Sequence, residues 1–375
     1  GDAARGFDQL EALAEAEEST DAVRFALVSA YLNDDRGDEA LGLAQSLVDA
    51  DPSNVQRLAL LGNTQLNLGM REEARTTYER ALEIDPNLPL PLTNLARLDL
   101  AAGDVSSAKT RLNTILQAFP GAPLPSLLLA EVLAEREGNI REAAEVLDLA
   151  LAKRPEAPQL QILRAYLRVE QGNPARALED MEALLEVTPD IIDAQQVAAA
   201  AELEMGRFEA ARARMDAMAE KAPLNAKQLM VKARAISGLG DKAATQQLVG
   251  EAFELAREQG DFGTQINCIR SMVRMRQVDR ASAWLDEVAG ANAAFASGPM
   301  KAEIVGDIAS INGDSAAAVA AYRQAVDAAP TPARLQKWAI AETAQGGFDV
   351  VDARLTQMSD ADATNVDVLR VHAQL

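Results

Sequence analysis

Cysteine and histidine are almost absent from this sequence, which contains one of each. Cys268 has no second cysteine with which to form an intramolecular disulfide, and we interpret it as a small buried helix side chain. A zinc site of the usual Cys/His kind needs several such ligands, and a Ser–His–acid set would depend on His372, near the end of the chain. Phosphate-binding glycine-rich loops are missing as well. We therefore expect a protein without catalytic activity, bound metal or cofactor.

Positive charge and aromatic residues are also in short supply. The sequence has 57 acidic and 36 basic residues, a net charge of −21, and 4% aromatic residues. Nucleic acids and anionic membrane surfaces both require a basic face, so this balance argues against either partner. The number of carboxylates leaves a two-carboxylate mechanism open, although most of them lie at helix starts and on outer faces. No apolar run approaches the roughly 20 residues of a membrane span.

What the sequence does contain is a repeat of 34 residues, clearest between Val55 and Leu88. Each copy has two amphipathic helical patterns, separated by a glycine and closed by a proline that lacks the N–H needed to continue a helix. The glycines expected at the turns are spaced by 34 or 35 residues, with one gap of 73: Gly69, Gly103, Gly138, Gly172, Gly206, Gly240, Gly313 and Gly347. One small insertion between Gly240 and Gly313 explains the long gap.

Small residues recur at two fixed places in each copy, where paired helices must approach closely. The position of Gly62 is taken by Ala96, Ala130, Ala165, Ala199, Ala233 and Gly306, and that of Ala74 by Ala40, Ala108, Ala143, Ala177, Ala211 and Ala318. This period and pattern resemble the tetratricopeptide repeat family over about residues 21–360. The resemblance implies an all-α fold, a right-handed α-solenoid superhelix of about ten stacked helix-turn-helix repeats. It says little about function.

The spacing predicts five segments. Residues 1–20 hold an acidic N-terminal capping helix, and residues 21–261 hold seven repeats, the last one extended. Residues 262–298 form a degenerate repeat without a glycine turn, and 299–364 hold two further repeats. Residues 365–375 resemble another first helix, with apolar residues around its circumference. Three interpretations are open: the native chain continues beyond this helix, a partner docks on it, or the terminus is merely apolar.

In the family the first helices line a concave groove, and the ninth position of each repeat faces it. The candidate groove residues for a protein or peptide partner are Asn63, Asn94, Arg97, Leu127, Ile162 and Tyr166. Some family members hold a peptide's terminal carboxylate with two asparagines and three basic residues. Asn63 and Asn94 match the asparagines, but Ala59, Leu124 and Leu128 occupy the basic positions, so we expect no such clamp. The third to fifth repeats could instead form a partly apolar groove, or their apolar side chains could pack against neighbouring first helices: Leu90, Leu124, Leu127 and Ile162.

A second candidate surface is basic. Residues 226–284 contain nine Lys or Arg and six acidic residues, whereas residues 1–50 contain three basic and twelve acidic residues. The family register places four of these cations on the groove: Lys227, Arg234, Arg270 and Arg274. They could pair with acidic residues of this chain or a neighbour, or bind an acidic peptide or polysaccharide through bidentate contacts.

These observations favour a non-catalytic scaffold whose groove binds a peptide or partner protein. Arginine (28) far exceeds lysine (8), a usage typical of GC-rich bacteria. Repeat and composition resemble those of periplasmic proteins of bacterial secretion, exopolysaccharide export and pilus assembly, so we expect an envelope complex. A cytoplasmic adaptor and a module for an acidic exopolysaccharide remain alternatives. The chain begins at Gly1 without a methionine, so a signal or anchor could precede it.

Overall fold

A computed structural model describes residues 2–16, 20–361 and 366–373. In this part of the chain every regular element is helical, and no strand occurs. The residues cluster into two compact units, unit 1 (Gly1–Val197) and unit 2 (Ala198–Leu375). None of the described helices is long and apolar enough to cross a membrane.

The helices of unit 1 are short and of similar length. They are α1 (Asp2–Glu15), α2 (Asp21–Asn33), α3 (Gly37–Ala50), α4 (Val55–Asn67), α5 (Arg71–Ile84), α6 (Pro89–Ala102), α7 (Val105–Ala118), α8 (Pro123–Glu131), α9 (Ile140–Lys153), α10 (Pro158–Glu170) and α11 (Pro174–Val187). The boundary between the units lies inside α12 (Ile192–Glu204).

Unit 2 continues the series of short helices, but it includes one longer helix and one helix of only four residues. Its helices are α13 (Phe208–Lys221), α14 (Ala226–Gly238), α15 (Lys242–Glu258), α16 (Phe262–Arg274), α17 (Val278–Ala291), α18 (Ala293–Ala296), α19 (Pro299–Ile311), α20 (Ser315–Ala328), α21 (Pro332–Thr343), α22 (Phe348–Ala361) and α23 (Val366–Ala373).

Each helix packs mainly on the helices next to it in sequence, as in α4 with α5, α6 with α7, and α19 with α20. The first helices of successive pairs also contact one another: α2 with α4, α4 with α6, α14 with α16, and α16 with α19. Consecutive second helices make no comparable contact among the described residues. The first helices therefore line the inner face of each unit. The predicted all-α fold of helix-turn-helix repeats is confirmed.

Most of the predicted turn glycines adopt the left-handed conformation that side chains disfavour, for example Gly69 with φ of 77°. The prediction was wrong for Gly347, because Gly346 has the positive φ of 83° and makes the turn. Helix α21, the first helix of this pair, begins at Pro332, as far before Gly346 as Val55 lies before Gly69. Two turns have no glycine at this position. Asp35 (φ 54°) and Arg276 (φ 59°) adopt the left-handed conformation there instead.

In most pairs a small residue of the first helix lies opposite a larger residue of the second helix, usually sixteen positions later. A Cβ on Gly62 would lie 2.5 Å from Cε1 of Tyr78, and one on Gly306 would lie 2.5 Å from Cδ1 of Tyr322. Where the small residue is alanine, the residue in the tyrosine position is shorter: Leu112, Leu147, Met181, Met215 or Val249. These side chains are all buried, so a larger residue on the first helix is matched by a smaller one on the second.

The irregular repeats accommodate their additional residues in different ways. The extra residue of the fourth repeat lies in a π-helical turn, Val132–Arg136, that continues α8. Helix α15 is three residues longer than its 14-residue counterparts, and the four-residue helix α18 precedes α19. Near the C-terminus, Val368 and Val371 of α23 are buried in a cluster with Val351, Leu355 and Trp338. Of the other residues predicted in that segment, Asn365 and Leu375 lie outside the described part.

Candidate functional site

The two predicted groove asparagines form a hydrogen-bonded triangle with a buried tyrosine. The hydroxyl of Tyr78 donates to Oδ1 of Asn63 at 2.5 Å, and Nδ2 of Asn94 donates to the same oxygen at 2.9 Å. Nδ2 of Asn94 also contacts the Tyr78 hydroxyl at 3.0 Å. Burial raises the pKa of Tyr78 to about 12. The asparagines therefore link α4, α5 and α6 through Oδ1 of Asn63 and Nδ2 of Asn94, which are occupied by these hydrogen bonds.

Unit 2 contains a charged version of the same triangle. The Tyr322 hydroxyl donates to Oδ1 of Asp307 at 2.8 Å, and Nζ of Lys337 donates to both Asp307 oxygens at 2.8 Å. Asp307 holds the position of Asn63 in its repeat, and with α21 beginning at Pro332, Lys337 holds that of Asn94. Lys337 and Tyr322 are not among the site residues predicted from the sequence. The signal was available in Gly306 and Tyr322, which repeat the spacing of Gly62 and Tyr78.

The remaining groove residues of unit 1 lie on the inner face of three successive first helices. Arg97 on α6 is exposed, Leu127 on α8 and Ile162 on α10 are partly buried, and Tyr166 on α10 is 45% exposed. Two leucines extend the same face: Leu90 on α6 is 43% exposed and Leu124 on α8 is 49% exposed. Leu127 packs against the core of its own unit. We call this set the α6–α10 strip: the exposed Leu90, Leu124 and Tyr166, the exposed cation Arg97, and the partly buried Leu127 and Ile162.

Carboxylates border this strip at the π-helical turn. Burial and the neighbouring Glu135 raise the pKa of Glu131, and burial with the charges of Glu170 and Glu135 raises the pKa of Tyr166. No described Lys, Arg or His forms an ion pair with Glu131, Glu135 or Glu170. This end of the strip is therefore acidic and uncompensated.

The predicted basic patch separates into two parts in unit 2. Arg234 on α14 and Arg270 and Arg274 on α16 lie close enough to affect one another, and we call these three residues the arginine cluster. Burial lowers the pKa of Arg274, and the charges of Arg234 and Arg270 lower it further. Lys227, at the start of α14, instead acts on Asp261, the residue that caps α16. Burial opposes the ionisation of Asp261, but hydrogen bonds from Thr264 and the charge of Lys227 lower its pKa.

Two members of the arginine cluster have acidic partners. Nη2 of Arg234 contacts Oε1 of Glu204 at 2.8 Å, and Nη2 of Arg270 lies 3.8 Å from Oε2 of Glu303. Glu303 also binds Arg334 at 3.2 Å and Lys337 at 2.9 Å. Arg274 donates to Oγ of Ser271 at 3.0 Å, and no described carboxylate lies within 4 Å of its guanidinium nitrogens. Pairing with this chain's own acidic residues thus accounts for Arg234 and Arg270 but leaves Arg274 unpaired.

The single cysteine and the single histidine each have a structural contact within unit 2. Cys268 is buried, its Sγ lies 3.4 Å from Sδ of Met230, and burial raises its pKa to about 12, which keeps the thiol protonated. Nε2 of His372 lies 2.7 Å from Oδ1 of Asp352, joining α23 to α22. Among the residues with described positions, no group of three His, Cys, Asp or Glu side chains is placed to hold a metal.

Comparison with known families agrees with the helix pairs. Profiles of the tetratricopeptide repeat match residues 34–98, 65–124 and 99–167, then 162–226, and finally 304–332, which together make up more than half of the chain. The chain belongs to the tetratricopeptide repeat family. Repeats of this kind are protein-interaction modules and generally non-catalytic, so this member of the family is an interaction scaffold in that general sense. A search of curated proteins gives no significant match.

Solved structures show the same fold at low sequence identity. A tetratricopeptide repeat protein from Parabacteroides merdae is 18% identical, with a TM-score of 0.50 over 66% of this chain and 93% of that one. A chain of the APC/C hetero-tetramer Cut9-Hcn1 is 15% identical, with a TM-score of 0.50 over 100% of this chain and 80% of that one. At these identities the likeness concerns the fold alone.

Proposed function

We propose that the α6–α10 strip binds a segment of a partner protein that presents aliphatic and basic side chains. The observation that carries this proposal is the row of exposed apolar side chains, Leu90, Leu124 and Tyr166, on the inner face of consecutive first helices. Apolar side chains gain about 25 cal/mol for each Å² removed from water, so a partner that covers this row is stabilised. An array of parallel helices offers a long surface, which suits peptides and helices better than small molecules.

The charge on the strip supports a basic partner segment. Glu135 repels Glu131, and the charges of Glu135 and Glu170 both act on Tyr166, so a Lys or Arg placed beside these carboxylates would be stabilised. Such pairing favours the correct partner and its rate of encounter more than it adds raw affinity. Arg97, at the α6 end, gives the strip a direction, because one end is basic and the other is acidic.

The setting that we propose is an assembly or export complex of a bacterial envelope, with a cytoplasmic adaptor as the alternative. The support is the composition and repeat pattern of the sequence. The test is to express a tagged chain from its own gene in its native host, cross-link it to its partner and fractionate the cells. The cross-linked complex should be found in the periplasmic fraction. Recovery of the complex from the cytoplasmic fraction would favour the adaptor.

Site-specific photo-cross-linking tests the strip in the same cells. With p-benzoylphenylalanine in place of Leu124, irradiation should give a discrete covalent adduct with one protein. Adding Glu131→Gln and Glu135→Gln should reduce the adduct by about threefold to tenfold, because a basic segment loses two charge partners.

Leu149 provides the matched control, since it is also an exposed leucine of unit 1 (72%) but lies on the second helix α9. The same photoreactive residue at this position should give no discrete adduct. Equal adducts at positions 124 and 149, or no adduct at position 124, would contradict the proposal.

A further inference from the structure

Unit 2 holds a second binding feature, independent of the α6–α10 strip, at the arginine cluster. Three guanidinium groups are held together on two adjacent first helices, and Arg274 faces two like charges while partly desolvated. Like charges in such an arrangement repel one another unless an anion lies between them. The remaining contact of Arg274 is with the neutral Ser271 hydroxyl.

Arg274 separates two clefts of different character. The first cleft, of about 720 Å³, lies between α14, α15 and α16 and is lined by Met230, Val231, Arg234, Asn267, Arg274 and Met275 among others. The second, of about 630 Å³, lies between α16, α19, α20 and α21 and includes Arg270, Glu303, Asp307 and Lys337. The cations of the second cleft are largely neutralised by its own two carboxylates.

The first cleft, by contrast, has no carboxylate in its lining. Two arginines stand at its wall, the amide of Asn267 has no described hydrogen-bond partner, and methionine and valine side chains supply apolar surface. Glu204 neutralises Arg234 from outside the cleft, through a contact in which both side chains are about half exposed. Exposed pairs of this kind contribute little and can exchange with an incoming carboxylate.

We infer that the cleft between α14 and α16 binds an internal segment of a partner protein in which an Asp or Glu stands beside an aliphatic residue. The carboxylate accepts hydrogen bonds from Arg274 and Arg234, whose planar guanidinium groups suit bidentate contacts. The aliphatic side chain packs between Met230 and Met275, whose flexible thioethers adapt to different shapes. No aromatic side chain lines this cleft, so it lacks the ring on which a sugar would stack, and a peptide fits it better than an acidic polysaccharide.

Binding of defined probes to the full chain tests the inference. The first probe is a twelve-residue peptide of four Asp-Leu-Glu units, acetylated and amidated so that no terminal charge contributes. The second has Asn-Leu-Gln units of the same shape, and the third is a pentamer of galacturonic acid. Calorimetry or fluorescence polarisation gives Kd values at low and at physiological salt.

The acidic peptide should bind the wild-type chain, and the amide peptide at least tenfold more weakly. Arg274→Gln should raise the Kd for the acidic peptide about tenfold, since a charge-assisted hydrogen bond is lost. Arg274→Lys should retain part of the affinity. Arg212→Gln, on the second helix α13 and similarly exposed, removes the same charge and should change the Kd by less than about twofold. Circular dichroism checks that the variants are folded.

Three results would overturn the inference. The first is similar affinity for the acidic and amide peptides, and the second is an equal loss in Arg212→Gln and Arg274→Gln. The third is a galacturonate pentamer that binds as tightly as the acidic peptide and depends on Arg274, which would identify a polysaccharide site. None of these measurements involves Leu124, so their failure and a failure of the cross-linking experiment are distinguishable.

Discussion

The close crossing of paired helices depends on single residues, and Gly62 with Tyr78 shows how. Glycine in a helix costs about 1 kcal/mol relative to alanine, yet an alanine at position 62 would drive its Cβ into the Tyr78 ring. The ring is fully buried and cannot move aside. Crossings with alanine carry leucine, methionine or valine instead of tyrosine, so the chain itself supplies the compensating pairs.

We therefore predict that Gly62→Ala destabilises unit 1 by about 1–3 kcal/mol, because overpacking outweighs the better helix propensity. In a Tyr78→Leu background the same change should be neutral or stabilising. Urea unfolding followed by circular dichroism measures both effects.

Gly42 on α3 is the control, because nothing lies within 4 Å of the Cβ that alanine would add there. Gly42→Ala should stabilise by up to about 1 kcal/mol. Destabilisation of similar size by Gly62→Ala in both backgrounds would refute the steric explanation.

Helices α16, α19 and α21 of unit 2 are joined by the ion pairs of Glu303. Burial opposes the ionisation of Glu303, but Lys337, Arg334 and Arg270 outweigh it, and the pKa falls below its ordinary value of 4.5. A carboxyl with a lowered pKa adds stability above its unfolded-state pKa and loses it as the pH falls through the folded-state value. This contribution is therefore present at pH 7 and lost in acid.

Glu303→Gln should lower the stability of unit 2 by about 1–3 kcal/mol at pH 7, and the difference should shrink as the pH falls below about 4. Both tryptophans, Trp284 and Trp338, lie in unit 2, so tryptophan fluorescence in urea reports this unit. Glu220→Gln on α13, where the carboxyl is exposed, should change little at either pH. An effect of Glu303→Gln that is constant between pH 7 and pH 3.5 would exclude the ionic explanation.

At the scale of the whole molecule, contacts run mainly between helices that are close in sequence. The stability of such an array is a sum of local terms, so a substitution that destabilises one repeat should destabilise mainly the neighbouring repeats. Leu112, fully buried on α7, is a suitable site for such a substitution.

Leu112→Ala should cost about 2–5 kcal/mol locally through the cavity that it leaves. Hydrogen exchange should accelerate in α6–α9, while the urea midpoint reported by the tryptophans of unit 2 stays within error. An equal shift of the tryptophan midpoint would mean that the chain unfolds as one cooperative body.

Local features of this chain could be predicted from its sequence, whereas features set by tertiary packing could not. The period of small residues, glycines and prolines determined the all-α repeat fold, because helix crossings and turns impose local steric rules that sequence spacing displays. The turn at Gly346 was missed because two adjacent glycines satisfy the same rule. The left-handed Arg276 carries no sequence signal, since only the packing of α16 against α17 requires that turn.

The sequence alone determined which side chains stand on the first helices, including the cations of the arginine cluster. The tertiary structure decided their roles. Asn63 and Asn94 bind Tyr78, Arg234 and Arg270 find carboxylates on neighbouring helices, and Arg274 finds none. Pairing depends on the distances between side chains that are about 15 to 35 residues apart in the chain. The 34-residue period does not contain these distances, because it indicates only which face of a helix a residue occupies.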